Sequence, residues 1–219
     1  MIIDMHVHTM VSSPCSMIDP VECIEAAISF GLDGICITEH DKIEGSRVVK
    51  EIAGSYKNIV VLSGIEVQSR EGHLLVYGYE KDFSSVLPAE EVISMVNAAG
   101  GIVIPAHPWR APFGWYSGSI DRPLEDTDFP SLFKVIESCS GSSSPKQNQS
   151  AADYCAKTGA GGIGGSDAHN ISDLGCCVTV FEEKIYNEES LVRALKAGRF
   201  AAKMNARYFD IWGEHNGRN

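Results

Sequence analysis

The sequence predicts an α/β barrel whose functional groups gather at one end, and three observations predict it. Short apolar runs alternate with helix-like stretches from Met1 to Met204, which implies a mostly parallel sheet with helices outside. Six of the seven histidines stand at the end or the start of such a run. They come from almost every run, which points to a closed ring of strands, because an open sheet gathers its ligands mainly at one switch point.

The elements follow in order. Met1 to Met5 reads as the first strand. Asp19-Pro20 opens a helix, with Asp as N-cap and Pro in the first turn, and Gly31 closes it. Gly34 to Thr38 is a buried-strand run, followed by a helix over 44–55. Ile59 to Val67 is the next strand, and His73 to Tyr79 returns after the five residues Gln68 to Gly72, which suggests a hairpin. Pro88 to Ala99 is a helix ended by Gly100-Gly101, and Ile102 to Ala106 is a strand. Residues 108–130, rich in Pro, Gly and aromatics, read as a long irregular excursion. Phe133 to Glu137 is a strand, 146–158 a helix, Gly161 to Gly165 a short glycine-rich strand, and Cys176 to Phe181 another strand. Glu188 to Ala197 is a helix and Arg199 to Met204 a last strand. No composition break marks a second domain, so 1–212 is expected to be one barrel domain and 213–219 a polar tail.

A chain of 219 residues suffices for one such domain with a real core. The net charge of −11 argues against a nucleic-acid coat or a membrane-surface protein, so neither duplex nucleic acid nor a membrane is an expected partner. It does not argue against an anionic substrate once ions are bound, since two or three dications bring about +4 to +6 to one spot. The start lacks a basic n-region, and no apolar run approaches the roughly 18 residues of a membrane span. The seven cysteines are scattered without a CxxC pair, which fits reduced thiols. A cytoplasmic enzyme is expected.

The chemistry lies in what ends the strands. His6 and His8 follow the first, His40 the second, and Glu66 ends the third. His73 opens the fourth, His107 follows the fifth, and Asp167 and His169 follow the glycine-rich strand. In extended chain the i, i+2 spacing of His6 with His8, and of Asp167 with His169, sends both side chains to one side. Imidazole with carboxylate suits Zn, Mn or Fe, and a carboxylate such as Glu66 can bridge two ions. Water bound to such ions becomes a hydroxide nucleophile near neutral pH, and two ions clamp the attacking and leaving oxygens of a phosphoester. Each piece alone is an ordinary surface or core histidine; the set is not, because His and Asp are not core residues. His215 in the polar tail is given no role.

The combination resembles the PHP (polymerase and histidinol phosphatase) superfamily. The matching pieces are Asp4-Met5-His6-Val7-His8-Thr9, Thr38-Glu39-His40-Asp41, Gly64-Ile65-Glu66-Val67, Gly72-His73, Pro105-Ala106-His107-Pro108 and Gly165-Ser166-Asp167-Ala168-His169. The resemblance implies a distorted (β/α)7 TIM-like barrel with two or three divalent metal ions. It implies that His6, His8, Glu66 and Asp167 hold one ion, that Glu66, His73 and His107 hold a second, and that His40 and His169 hold a third. In much of the family the loop after H-x-H-T adds a His or an Asp to the third ion. Here Met10 to Ser16 has neither, and Cys15 is the candidate in its place.

The expected activity is hydrolysis of a small phosphomonoester, with a phosphorylated small molecule or nucleotide as partner. The alternatives are an exonuclease or nucleotide phosphodiesterase, an amidohydrolase-type enzyme, and a non-enzymatic metal-binding domain. Arg110, Asp167 and His169 are the expected catalytic residues. Arg110 stands three residues after His107, where its planar fork can clamp a phosphoryl group; the competing reading pairs it with Asp126 or Asp128. Arg70 and Arg207 are lesser candidates for the clamp. Trp109, with Phe113, Trp115 and Tyr116, is expected either to contact substrate or to cap the barrel rim.

Overall fold

In a computed structural model, described for residues 1–110, 115 and 132–205, the strands are β1 (Ile2–Val7), β2 (Gly34–His40), β3 (Val60–Gln68), β4 (His73–Tyr77), β5 (Ile102–Pro105), β6 (Val135–Ser140), β7 (Gly161–Gly165), β8 (Cys177–Phe181) and β9 (Phe200–Met204). The α-helices among the described residues are α1 (Pro20–Ser29), α2 (Glu44–Ala53), α3 (Ala89–Ala98), α4 (Pro145–Thr158) and α5 (Glu188–Ala197). Each element lies within three residues of its expected bounds. Most of the 108–130 excursion and the 213–219 tail lie outside the described residues.

Local chemistry sets the boundaries. Asp19 Oδ1 accepts from the backbone N–H of Val21 and Glu22, and Pro20 starts α1. Ser144 and Gln147 form a capping box at α4, and Asn187 and Ser190 do the same at α5. Both helices stop on a left-handed glycine, Gly159 at φ 76° and Gly198 at φ 70°.

The expectation of a mostly parallel sheet needs correction. One sheet runs β5-β4-β3-β2-β1-β8-β9 and a separate ladder pairs β6 with β7. Only β1–β2, β2–β3 and β6–β7 are parallel; β3–β4, β4–β5, β1–β8 and β8–β9 are antiparallel. Apolar periodicity reports which residues are buried and carries no strand direction, so only the tight β3–β4 connection was open to a sequence argument.

The fold is nonetheless a distorted barrel. The curled sheet is closed by packing: β6 lies against β5, and β7 against β1 and β9. One apolar cluster takes a side chain from every strand from β1 to β8, among them Met5, Cys36, Leu62, Tyr77, Ile104, Val135, Ile163 and Phe181. Leu191, Ala194 and Leu195 of α5 join it. Truncating one of its fully buried members, as in Leu62→Ala, costs about 2–5 kcal/mol. α1 and α2 cover one outer flank through Ile24 and Val49, and α3 and α4 another through Val92 and Tyr154. No helix among the described residues is long and apolar enough to cross a membrane.

Candidate metal centre

The strand ends converge on one buried spot. His6 lies in β1 and His8 just past it; His40 ends β2, Glu66 is near the end of β3, and His107 follows β5. β4 runs the other way, so His73, its first residue, reaches the same end. Asp167 and His169 follow β7. His107 (φ 29°) and Asp167 (φ 53°) hold positive φ without being glycine. Such strain costs on the order of 1–3 kcal/mol per residue and collects where function demands a particular geometry. Gly165 is required for a different reason: a Cβ there would land on His6 and on the Glu137 carboxylate.

Four atoms form a tetrahedral hole. His6 Nε2 is 3.0 Å from His8 Nε2, 3.5 Å from Glu66 Oε2 and 3.3 Å from Asp167 Oδ1. His8 Nε2 is 3.2 Å from each of those two oxygens. Atoms that ligate one ion at about 2.1 Å stand about 3.0–3.4 Å from one another, depending on geometry. Among the described residues, Asp167 Oδ1 is buried with no hydrogen-bond partner, as is His107 Nδ1. Buried polar atoms rarely go unpaired, so orphans in a ring of donors fit a cation.

Glu66 divides its carboxylate. Oε2 faces His6 and His8 and lies 3.1 Å from His40 Nδ1. Oε1 lies 2.8 Å from His73 Nδ1 and 3.0 Å from His107 Nε2. Among the described residues, three groups of side chains are thus close enough to hold an ion: His6, His8, Glu66 and Asp167; Glu66, His73 and His107; and His8, His40 and His169.

Outer partners fix which nitrogen faces inward. His6 Nδ1 pairs with Glu137 Oε1 at 3.1 Å, which turns Nε2 to the hole. His8 Nδ1 lies 3.2 Å from Ser13 Oγ, and Ser13 donates to Glu39. His73 Nε2 pairs with Gln68 Oε1 at 2.7 Å. Glu137 Oε2 also accepts the backbone N–H of His107 at 2.6 Å. The electrostatics suit cations. Burial opposes charge on His6, yet Asp167, Glu137 and Glu66 outweigh it and hold the ring well above its ordinary value. Burial likewise opposes charge on Glu66 and Asp167, and the facing histidines, His6 foremost, hold both below the usual carboxylate range.

A family model for the PHP domain matches residues 4–102, and one described as PHP-associated matches 145–200. The chain belongs to the PHP family. An uncharacterized protein of Methanocaldococcus jannaschii is 27% identical over 115 residues, 48% of this chain and 67% of that one. Among solved structures, PsfC from Pseudomonas syringae PB-5123 aligns with a TM-score of 0.71 at 16% identity, over 98% of this chain and 96% of that one. A Bacteroides vulgatus two-domain protein containing a predicted PHP-like metal-dependent phosphoesterase aligns with a TM-score of 0.69 at 19% identity, over 95% and 69%. At these identities the structural likeness is one of fold.

The mouth of the PHP centre is a cavity of about 500 Å³ lined by Glu66, His73, Asp167 and His169 together with Cys15 and Arg110. Arg110 Nη1 donates to Asp167 Oδ2 at 2.6 Å and also to Ser142 Oγ. Its competing partners, Asp126 and Asp128, lie outside the described residues, as do Phe113, Tyr116, Arg207 and His215. Cys15 lines the cavity but joins none of the three groups. Burial and then the charges of Glu66 and Asp167 push its thiol up. Trp109 and Arg70 do not line this cavity: Trp109 packs on Tyr154 with ring centroids 5.5 Å apart, and Arg70 is exposed. Trp115 donates its indole N–H to the His73 carbonyl at 3.2 Å and packs on Phe133, an arrangement of the rim-capping kind.

Sequence reading missed four buried polar residues that serve this centre: Glu137, Glu39, Ser13 and Asp4. Asp4 accepts from the backbone N–H of His6, Ser166 and Gly175 and so ties β1 to the Asp167 loop; burial raises its carboxyl to about 6. A signal existed for Asp4, a carboxylate inside the apolar run Met1 to Met5, whereas Glu39 and Glu137 stand past or at the end of their expected strands.

Proposed function

We propose that this PHP chain hydrolyses small phosphomonoesters at a centre of two or three divalent ions. The observation that carries the reading is the divided carboxylate of Glu66, one oxygen toward His6 and His8 and the other toward His73 and His107. Residues so placed would hold two adjacent ions, which would supply positive charge for a displacement at phosphorus. His6, His8, Glu66 and Asp167 would hold the first ion, Glu66, His73 and His107 the second, and His40 and His169 would contribute to a third. Zn, Mn and Fe all suit this donor set. Bound there, such ions supply Lewis acidity and an acidified water near neutral pH.

The chain's own residues supply orientation and charge. Glu137, Ser13 and Gln68 hold the histidines in the ligating tautomer. Arg110, now on Asp167, needs only to turn its fork to meet the phosphoryl oxygens left uncovered. His169 is held below its ordinary value by burial and by His8, so its ring stays neutral and available. A cavity of about 500 Å³ is the size of a small-molecule site, which favours a phosphomonoester over a nucleic-acid chain.

The test is elemental analysis of the purified protein, then chelation, reloading with Zn, Mn or Fe, and assay on phosphomonoesters, dinucleotides and amides. Phosphomonoester turnover that chelation abolishes and reloading restores is expected. Faster turnover of dinucleotides or amides would move the chain to an alternative chemistry. Bound metal without any turnover would make the centre a binding site.

A further inference from the structure

Away from the ligand ring, three cysteines collect where β6 meets β8. Cys139 of β6 and Cys177 of β8 belong to separate ladders and lie 38 residues apart in sequence, yet their sulfurs stand 2.7 Å apart. Both side chains are buried, Cys177 at 2% exposure and Cys139 at 7%. Cys176, partly exposed, contacts Cys177 from the flank. The three sulfurs do not converge as an ion site; among the described residues, the groups able to hold an ion contain only His, Asp and Glu.

The location gives the pair its meaning. The β6–β7 ladder is seated against the large sheet by packing, with one isolated bridge, Val7 to Ala168, beside it. The Cys139–Cys177 contact spans that seam. Glu137, which orients His6, lies two residues before Cys139 on β6. The chain between the two cysteines carries α4, β7, Asp167 and His169. Two sulfurs this close need to move by well under 1 Å to reach a bond of about 2.05 Å.

We propose that Cys139 and Cys177 form an oxidisable dithiol that a peroxide closes to a disulfide across this seam. The Cys139 sulfur attacks a peroxide oxygen; the O–O bond breaks, and Cys139 becomes a sulfenic acid as one water leaves. The Cys177 sulfur then attacks the Cys139 sulfur, loses its proton, and expels the hydroxyl as a second water. Two thiols are oxidised and one hydrogen peroxide is reduced to two waters. The product is a covalent ring that encloses Asp167 and His169 and staples β6 to the sheet.

The inference stands independently of the reading of the metal centre, and its test needs no activity. The full chain is treated with graded hydrogen peroxide and compared with untreated protein by non-reducing peptide mapping, thiol titration and thermal melting. The expected result is a Cys139–Cys177 linked peptide, two thiols lost beyond any oxidised at Cys15, and a Tm higher by roughly 5–15 °C that dithiothreitol reverses. Cys139→Ala should abolish the linked peptide, whereas Cys15→Ser and Cys176→Ser should keep it. Should Cys139→Ala fail to fold, the map of the unsubstituted chain decides alone. A Cys176–Cys177 bridge instead, or no linked peptide at peroxide levels that fully oxidise the exposed Cys15, overturns the proposal.

Discussion

Two cavities of this barrel differ in a way that separates a site from a space. The larger, about 1400 Å³, lies where β4 ends and β5 begins, beside α5, and is lined by Tyr79, Met95 and Val192 among charged side chains such as Glu188 and Lys196. The smaller, about 500 Å³, opens over the ligand ring. In the larger, these charges are already answered: Lys196 donates to the Gly100 carbonyl, and Glu188 accepts from Lys50 and from the backbone N–H of Ser63. In the smaller, imidazole nitrogens crowd one another and Asp167 Oδ1 has no hydrogen-bond partner among the described residues. Unfinished valence marks the site, and volume does not. Substitutions on the two sides should therefore behave differently.

The largest difference is expected from Asp167→Ala set against Lys196→Ala. Removing Asp167 takes one corner from the tetrahedral hole, so bound metal should fall by at least one equivalent and phosphomonoester turnover to background. Lys196→Ala should change turnover by less than about twofold, as surface changes away from a site usually do little. Elemental analysis beside initial rates makes the comparison. Equal losses in both variants would sink it.

Next in size is Arg110. Arg110→Ala at full metal loading should lower kcat by about 10²–10³-fold, the scale of a lost oxyanion donor. Arg110→Lys should recover little, because an ammonium lacks the planar fork. Inhibition by inorganic phosphate, measured on the same proteins, should weaken in parallel. Normal turnover in both would leave Arg110 as the counter-charge of Asp167 alone.

Glu137→Gln should come third. The amide keeps one acceptor oxygen for His6 Nδ1 but loses the acceptor for the His107 N–H and the charge that raises the basicity of the ring. A drop in metal affinity of about 10–100-fold is expected, read by competition with a chelating dye. An unchanged affinity would limit Glu137 to packing β6 against β1.

Much of this was legible from residue types alone. His6, His8, His40, Glu66, His73, His107, Asp167 and His169 stand at strand ends in the sequence, and the structure brings all eight together. What stayed hidden was whatever depended on a partner from elsewhere in the chain. Glu137 was read as the end of a strand, and its worth appears only when β6 packs beside β1 and β5. Ser13 lies in the loop expected to carry a third-ion ligand, yet its hydroxyl orients His8 instead. The direction of β8 was equally silent, because Cys177–Phe181 is a buried apolar run whichever way it points. Trp109 is a residue for which the sequence supports two roles, substrate contact or rim packing; its ring packs on Tyr154.

The smallest expected effect tests the paired side of the comparison through pH. Glu188 is partly buried, which by itself would raise its carboxyl. The hydrogen bonds from Lys50 and from the Ser63 N–H outweigh burial and hold it below the ordinary value. A carboxylate whose folded value is depressed adds stability that is fully present above its unfolded value, near 4.3. That stability is lost as the pH falls through the lower, folded value. Glu188→Gln removes the charge while keeping a carbonyl for the Ser63 N–H. The variant should therefore melt slightly below the parent at pH 7, by about 1 kcal/mol or less, since solvent screens a pair that is still partly exposed. The gap should shrink as the pH is lowered from 5 toward 3, and added salt should narrow it at pH 7. A gap constant across that range would mean that Glu188 acts through shape or as the first residue of α5, and that its charge is not satisfied in the way the comparison requires.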